Sequence, residues 1–167
     1  MEVWGVDQSV SVRRTPIEDD DGEGWLSDLY RRERAGLVRV AYLLTNSLSA
    51  SEEIVQDAFV ALQTTGSLVA KPGAYLRTSV VNACRSYHRH RVVVERHPVR
   101  VVEARDPQHD ELFDALNALP WRQQAALVLR FHVDLSEYEI AEILACRPST
   151  VRSLTRRALA TLRKALT

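Results

Sequence analysis

The chain has 167 residues, 22 Lys+Arg against 22 Asp+Glu, and 46% apolar residues. That length suggests one domain or two small ones. Two cysteines and an N-terminus without an apolar secretory core argue against a disulfide scaffold and for a reducing compartment. No apolar run approaches the ~20 residues that cross a bilayer, so a cytoplasmic protein without membrane insertion is expected. Zero net charge would also argue against a nucleic-acid partner, provided the charges were evenly spread.

They are not. Residues 1–24 carry a net charge of −5 and read as a disordered acidic tail. Residues 25–67 carry −1, residues 68–105 carry +6, residues 106–145 carry −6 and residues 146–167 carry +6. Affinity for phosphate follows local Lys/Arg clusters rather than the total, because each neutralised phosphate releases counterions.

The first helix is predicted from Trp25, where Leu26, Leu29, Tyr30, Leu37, Val40, Ala41 and Leu44 recur at helical spacing. Ser49 is placed as the cap of a second helix, with Glu52 completing a capping box and Ile54, Val55, Ala58, Phe59 and Leu62 as its apolar side. Thr64 to Gly73 holds two glycines and a proline and reads as a loop. A third helix is expected over about Ala74 to Arg91. It interleaves Tyr75, Asn82, Tyr87, His88 and His90 with Arg77, Arg85, Arg89 and Arg91. Such mixtures suit single-stranded DNA, where bases stack on rings and Arg holds the backbone. A basic outer face with its tyrosines in the core fits the spacing equally well.

Residues 93–109 contain two prolines and no sustained helical pattern, and read as an interdomain linker. Four short helical segments follow: Asp110 to Leu119, Trp121 to about His132, Ser136 to about Leu144 with Ser136 and Glu139 as a second capping box, and a last one from Ser149 or Thr150 to the C-terminus. The all-α organisation expected is therefore a tail (1–24), a helical module (25–92), a linker (93–109) and a second helical module (110–167). On a helical wheel Val151, Thr155, Ala158, Leu159, Leu162 and Leu166 form one apolar sector, with Arg152, Arg156, Arg157, Arg163 and Lys164 opposite. A short helix, a tight turn and a basic amphipathic helix make a helix-turn-helix pattern. Its second helix would present Ser149, Thr150, Arg152, Ser153 and Arg156 to base edges and Arg157, Arg163 and Lys164 to phosphates. A solvated basic face on an ordinary hairpin is the competing reading.

Other chemistry is poorly supported. Cys84 and His88 share a helical face but make an incomplete zinc site, and His90 points elsewhere. Cys146 reads as a small core residue. No phosphate-binding Gly-rich loop, G-x-S-x-G or H-E-x-x-H occurs. Neither a metal, a cofactor nor an enzyme activity is expected.

The order IVQDAF, AYLRTSVVNACRSYHRHR and then ALNALPWRQQAALVLRFHVDLSEYEIAEILACRPSTVRSLTRRALATLRKAL resembles the extracytoplasmic-function group of the sigma-70 family. The V-x-N-x-x-R core of the third helix is similar to its SigE-like actinobacterial branch. The resemblance covers about Trp25–Val92 and Asp110–Leu166. It implies a region 2 bundle and a region 4 helix-turn-helix in a bacterial RNA polymerase sigma subunit. By position it implies core-polymerase contacts at Glu53, Ile54, Val55, Gln56 and Asp57 on the β′ clamp helices, with Phe59 mostly in the core. It implies −10 contacts at Thr65, Ser67, Lys71, Tyr75, Asn82, Arg85, His88 and Arg89. It implies −35 contacts at Ser149, Thr150, Arg152, Ser153, Arg156 and Arg157. The implied partners are core RNA polymerase (β′ clamp helices and β flap), promoter DNA and, in many members, an anti-sigma factor. The chain departs from the pattern in having Ala145 and Ser149 where the turn usually carries Gly. Leu154 stands where a polar or basic residue is common, at the border of the apolar stripe. An additional C-terminal domain, present in some members, is not expected after Thr167.

Overall fold

A computed structural model describes residues 24–65, 69–94 and 111–167, which hold seven α-helices and no strand. The expected acidic tail, most of the linker and Ser67 lie outside the described residues. Helix α1 is Gly24–Thr45, α2 Leu48–Thr65 and α3 Pro72–Val94. Helices α4 (Glu111–Asn117), α5 (Trp121–Leu127), α6 (Glu137–Ile143) and α7 (Pro148–Ala165) follow, and α5 runs on into a π turn at Val128–His132.

The helix starts differ from expectation for local reasons. Ser47, not Ser49, caps α2: its hydroxyl accepts from the Ala50 amide at 3.3 Å. Ser47 is selected by a buried cluster in which the Ser51 hydroxyl donates to the Ser47 carbonyl at 2.6 Å and lies 3.0 Å from the Thr45 hydroxyl. The expected loop from Thr64 to Gly73 is shorter than its composition suggests, since Thr64 and Thr65 complete α2 and Pro72 opens α3. Pro148, not Ser149 or Thr150, is the first residue of α7. Its fixed φ suits that position and its missing N–H would have been unpaired there anyway. The Ser136/Glu139 capping box forms as expected, with Glu139 accepting from the Ser136 amide at 2.8 Å.

The π turn changes the pitch at the end of α5. The Val133 amide donates to the Val128 carbonyl at 3.2 Å, an i→i+5 bond that inserts an extra residue in the turn. Phe131 lies within this turn and is 64% exposed. Asp134 follows with φ of 59° and reverses the chain toward α6.

The helices on either side of the linker do not keep separate cores. One cluster of buried residues joins Leu37, Leu44, Val55, Leu62, Leu76, Val80 and Val81 to Trp121, Ala125, Leu129, Ile140, Leu144 and Val151. A module of roughly 60 residues buries only about 60% of its unfolded surface, so the pooled core covers apolar area that each module alone would leave wet. A smaller cluster of Leu119, Leu127 and Ala158 seats α7 on the rest of the C-terminal module.

Candidate nucleic-acid and polymerase interfaces

The two modules meet through specific groups. Gln124 is buried and its amide nitrogen donates to the Leu43 carbonyl at 2.7 Å and to Asn117 Oδ1 at 3.1 Å. Leu43 lies in the last turn of α1, whose carbonyls have no intrahelical donors, so a side chain of the second module caps a helix of the first. Within the first module, Arg91 of α3 donates to the Thr45 carbonyl at 3.3 Å in the same turn. The rings of Tyr42 and Phe113 stack beside it, 5.4 Å between centroids and 17° from parallel.

Helix α7 carries the basic face. Val151 and Ala158 are buried, and Leu154 and Leu162 pack partly beside them. The apolar stripe is therefore rotated from the expected sector. Leu154 packs inward, while Leu159 and Leu166 are exposed at 43% and 45%. The wheel gives the sector but not which of its edges α4, α5 and α6 cover. Ser149, Thr150, Arg152, Arg156 and Arg157 are exposed and Ser153 is half-buried. Leu159 faces a groove of about 400 Å³ lined also by Arg130, Glu137, Arg152, Thr155, Arg156 and Arg163. Arg152 is fixed by Glu137 of α6: Nη2 donates to Oε2 at 2.8 Å and Nε to Oε1 at 3.3 Å. The Arg152 hydrogen bond, with the Arg152 and Arg130 charges, holds the Glu137 carboxyl below the usual carboxylate range.

Helix α3 sits in different surroundings. Leu76, Val80, Val81 and Cys84 are buried, and Tyr75 packs partly into the shared core. Asn82 and Arg89 are exposed, Arg85 and His88 half-buried, and Lys71 exposed just before the helix. Glu139 of α6 is held below the usual carboxylate range by its bonds from Ser136, and more weakly by the charges of Arg77 and Lys71. One acid of the second module, Glu139, thus feels the charges of Lys71 and Arg77 around the start of α3. Thr65, at the end of α2, is exposed and donates its hydroxyl to the Ala61 carbonyl at 2.8 Å. Burial pushes the Cys84 thiol up to about 12, which makes it a packed thiol and a poor ligand at neutral pH.

On α2, Glu53, Gln56 and Asp57 are exposed and Ile54 is half-buried. Val55 is 1% exposed and belongs to the core, so of the five expected polymerase contacts it cannot be reached from outside. Phe59 is buried, as expected. Beside Gln56 lies a groove of about 440 Å³ lined by Leu26, Tyr30, Arg31, Phe59, Val60 and Gln63. Tyr30 meets Phe59 edge-on at 4.9 Å, with the Arg34 guanidinium 5.8 Å from the Tyr30 ring centre. Tyr30 reads as core by spacing but is exposed, as is Val60. The one sequence signal that marks this patch is an apolar residue among polar helical neighbours, as Val60 is among Gln56, Asp57, Gln63 and Thr64.

Residues 29–92 match the family Sigma-70 region 2, and residues 109–162 match Sigma-70, region 4. An extracytoplasmic function sigma factor of Mycobacterium tuberculosis, SigJ, shares the fold at a TM-score of 0.60 and 26% identity, over 84% of this chain and 53% of that one. This chain belongs to the extracytoplasmic-function group of the sigma-70 family. An RNA polymerase sigma-E factor of Streptomyces antibioticus is 36% identical over 100 residues, 56% of this chain and 56% of that protein. The chain therefore matches a little over half the length of that relative. The sigma factor RpoE of Bartonella quintana, solved with the anti-sigma factor NepR, has the same fold at a TM-score of 0.65 and 24% identity, over 84% of this chain and 97% of that one. In this sigma-70 member, region 2 comprises most of α1 with α2 and α3, and region 4 comprises α4 to most of α7. Among the described residues no helix is long and apolar enough to cross a membrane, and no group of three or more His, Cys, Asp or Glu could hold a metal.

Proposed function

We propose that this sigma factor is a non-enzymatic, cytoplasmic promoter-specificity subunit. It binds core RNA polymerase and directs initiation at promoters with cognate −10 and −35 elements. Residues 25–92 form the region 2 module and residues 110–167 the region 4 module, joined by a linker over 93–109 behind a tail of 1–24. Glu53, Ile54, Gln56 and Asp57 meet the β′ clamp helices, with the Tyr30–Val60 groove extending that face. Region 4 docks on the β flap. Thr65, Ser67, Lys71, Tyr75, Asn82, Arg85, His88 and Arg89 engage the −10 strand. Ser149, Thr150, Arg152, Ser153, Arg156 and Arg157 engage the −35 duplex. An anti-sigma factor is a further partner, in keeping with the complex known for the Bartonella quintana protein.

The observation that carries this reading is the exposed basic face of α7, held by a short helix and tight turn in a helix-turn-helix frame. A second helix so placed enters the major groove with its first turns at base edges. Run-off transcription with purified core polymerase tests it. A promoter-dependent transcript is expected only when this protein is added. Tight duplex binding by the protein alone, with no such transcript, would reassign it as a free-standing regulator. Charge reversal at Asp57 should weaken core binding and leave the fold intact.

A further inference from the structure

We infer that Glu137 is the positioning residue for Arg152, turning a flexible cation into a fixed reader of one guanine in the −35 element. The inference rests on the proposal that α7 reads that element.

A guanidinium offers five N–H donors arranged as two forks. The side-on fork is Nε with Nη2, and the end-on fork is Nη1 with Nη2. Glu137 takes the side-on fork, through Nε at 3.3 Å and Nη2 at 2.8 Å. Three donors remain, both on Nη1 and one on Nη2, and two of them, one on each Nη, form the complete end-on fork. That is the geometry that matches O6 and N7 of guanine in the major groove. The Arg152 side chain is 72% exposed, so this fork is open to a ligand.

The support behind Arg152 is itself fixed. Glu137 is the first residue of α6, directly after Ser136. The Ser136/Glu139 capping box sets the backbone at that point. Arg130 adds a second positive charge near the Glu137 carboxylate and is anchored by its own bond to the Leu135 carbonyl, at 2.8 Å. Among the described residues, Glu137 is the only acid lining a groove that also holds Arg130, Arg152, Arg156 and Arg163. On a surface built to meet phosphates a carboxylate lowers general affinity. Its paired geometry with Arg152 gives it a directional role that charge alone does not require.

The test uses holoenzyme reconstituted from the full chain and core polymerase. Initiation is measured on a promoter panel in which each −35 base pair is changed in turn. Wild type is compared with Arg152→Ala, Glu137→Ala, Glu137→Gln and the double alanine variant, each first shown by thermal melting to be folded. Arg152→Ala should abolish the preference at one guanine. Glu137→Ala should reduce that same preference about tenfold, within the range of one bidentate base contact, and leave the other positions alone. Glu137→Gln keeps one acceptor oxygen and should fall between wild type and Glu137→Ala. The double variant should match Arg152→Ala. If Arg152→Ala changes the preference and neither Glu137 variant does, the positioning role is overturned and the reading of α7 stands. A uniform rise in use of every promoter by Glu137→Ala would show a simple charge screen and also overturn it. If Arg152→Ala moves no position, the assignment of Arg152 to the −35 element fails and the inference goes with it.

Discussion

Helices α3 and α7 carry the same chemistry in opposite surroundings. The basic face of α7 is supported largely by its own module: Ala158 packs with Leu119 and Leu127 behind it, and Glu137 of the neighbouring helix holds Arg152, while Val151 alone of its buried residues reaches the shared core. The face of α3 is not self-contained. Tyr75 packs into a core shared with the C-terminal helices, and Lys71 and Arg77 lie near Glu139 of α6. The partner that holds Arg152 is therefore local to α7's own module. The surroundings of α3 depend on where the second module sits.

The strongest test of this difference removes core volume on the C-terminal side. Leu129 is 1% exposed and belongs to the shared cluster. Leu129→Ala should cost about 2–5 kcal/mol, as for other buried Leu→Ala changes. Hydrogen exchange should show protection falling in α1 and α3 as well as in α5 and α7. Loss confined to α5 and α7 would mean that the two cores are independent, and would break the comparison.

The two cysteines report on the same contrast, one from each module. Cys84 is buried within α3 and its thiol is pushed up from 9.0 to about 12, whereas Cys146, beside the turn before α7, is only partly buried. The thiolate is the reactive form, so at a given pH Cys84 has a roughly thousandfold smaller thiolate fraction than a thiol of pKa 9.0. Native-state alkylation followed by mass spectrometry should label Cys146 first. The sign of the linked stability follows from the raised value. The neutral Cys84 thiol favours the folded state fully below about pH 9 and loses that contribution as pH rises toward 12. Replacing Cys84 by Ala should remove this alkaline component from the melting curve.

Gln124 is a finer probe of the contact between modules. Gln124→Leu keeps the side chain's bulk but leaves the Leu43 carbonyl without its 2.7 Å donor. An unpaired buried polar group costs about 1–3 kcal/mol. The loss should show as a lower denaturation midpoint and faster exchange in the last turn of α1. A midpoint unchanged from wild type would show that the α1 terminus is satisfied in some other way.

The parts legible in the sequence were those set by nearest neighbours. The Ser136/Glu139 box was readable because both partners lie within one turn. The parts that were not readable depend on residues far apart or on competing local choices. Ser47 and Ser49 are both competent caps, and only the buried contact with Thr45 and Ser51 decides between them. The π turn over Val128–His132 has no composition signal. The Glu137–Arg152 pair spans fifteen residues and depends on how α6 crosses α7. Helical periodicity marked both modules as amphipathic but could not show that their apolar faces would be shared.

The smallest expected effect lies in the turn between α6 and α7, and its sign has to be argued. Ala145 has φ of 48°, in the left-handed region. The Cys146 amide donates to the Ala141 carbonyl at 2.9 Å and the Ala145 amide to the Glu142 carbonyl at 3.2 Å. These are the two bonds of a Schellman motif, whose left-handed position is usually Gly. An L-residue there costs about 1–2 kcal/mol, while replacing Ala by Gly restores about 0.4–1 kcal/mol of unfolded-chain entropy. The strain term is the larger, so Ala145→Gly should stabilise the protein by about 0.5–1 kcal/mol. Ala145 is exposed, so the methyl group removed contributes no core packing to offset the gain. Because the turn orients α6 against α7, the stabilisation should appear as slower exchange in the α7 amides with no change in α3. Equal slowing in both helices would extend the coupling between modules into region 4's own turn and remove the contrast between a self-contained α7 and a dependent α3.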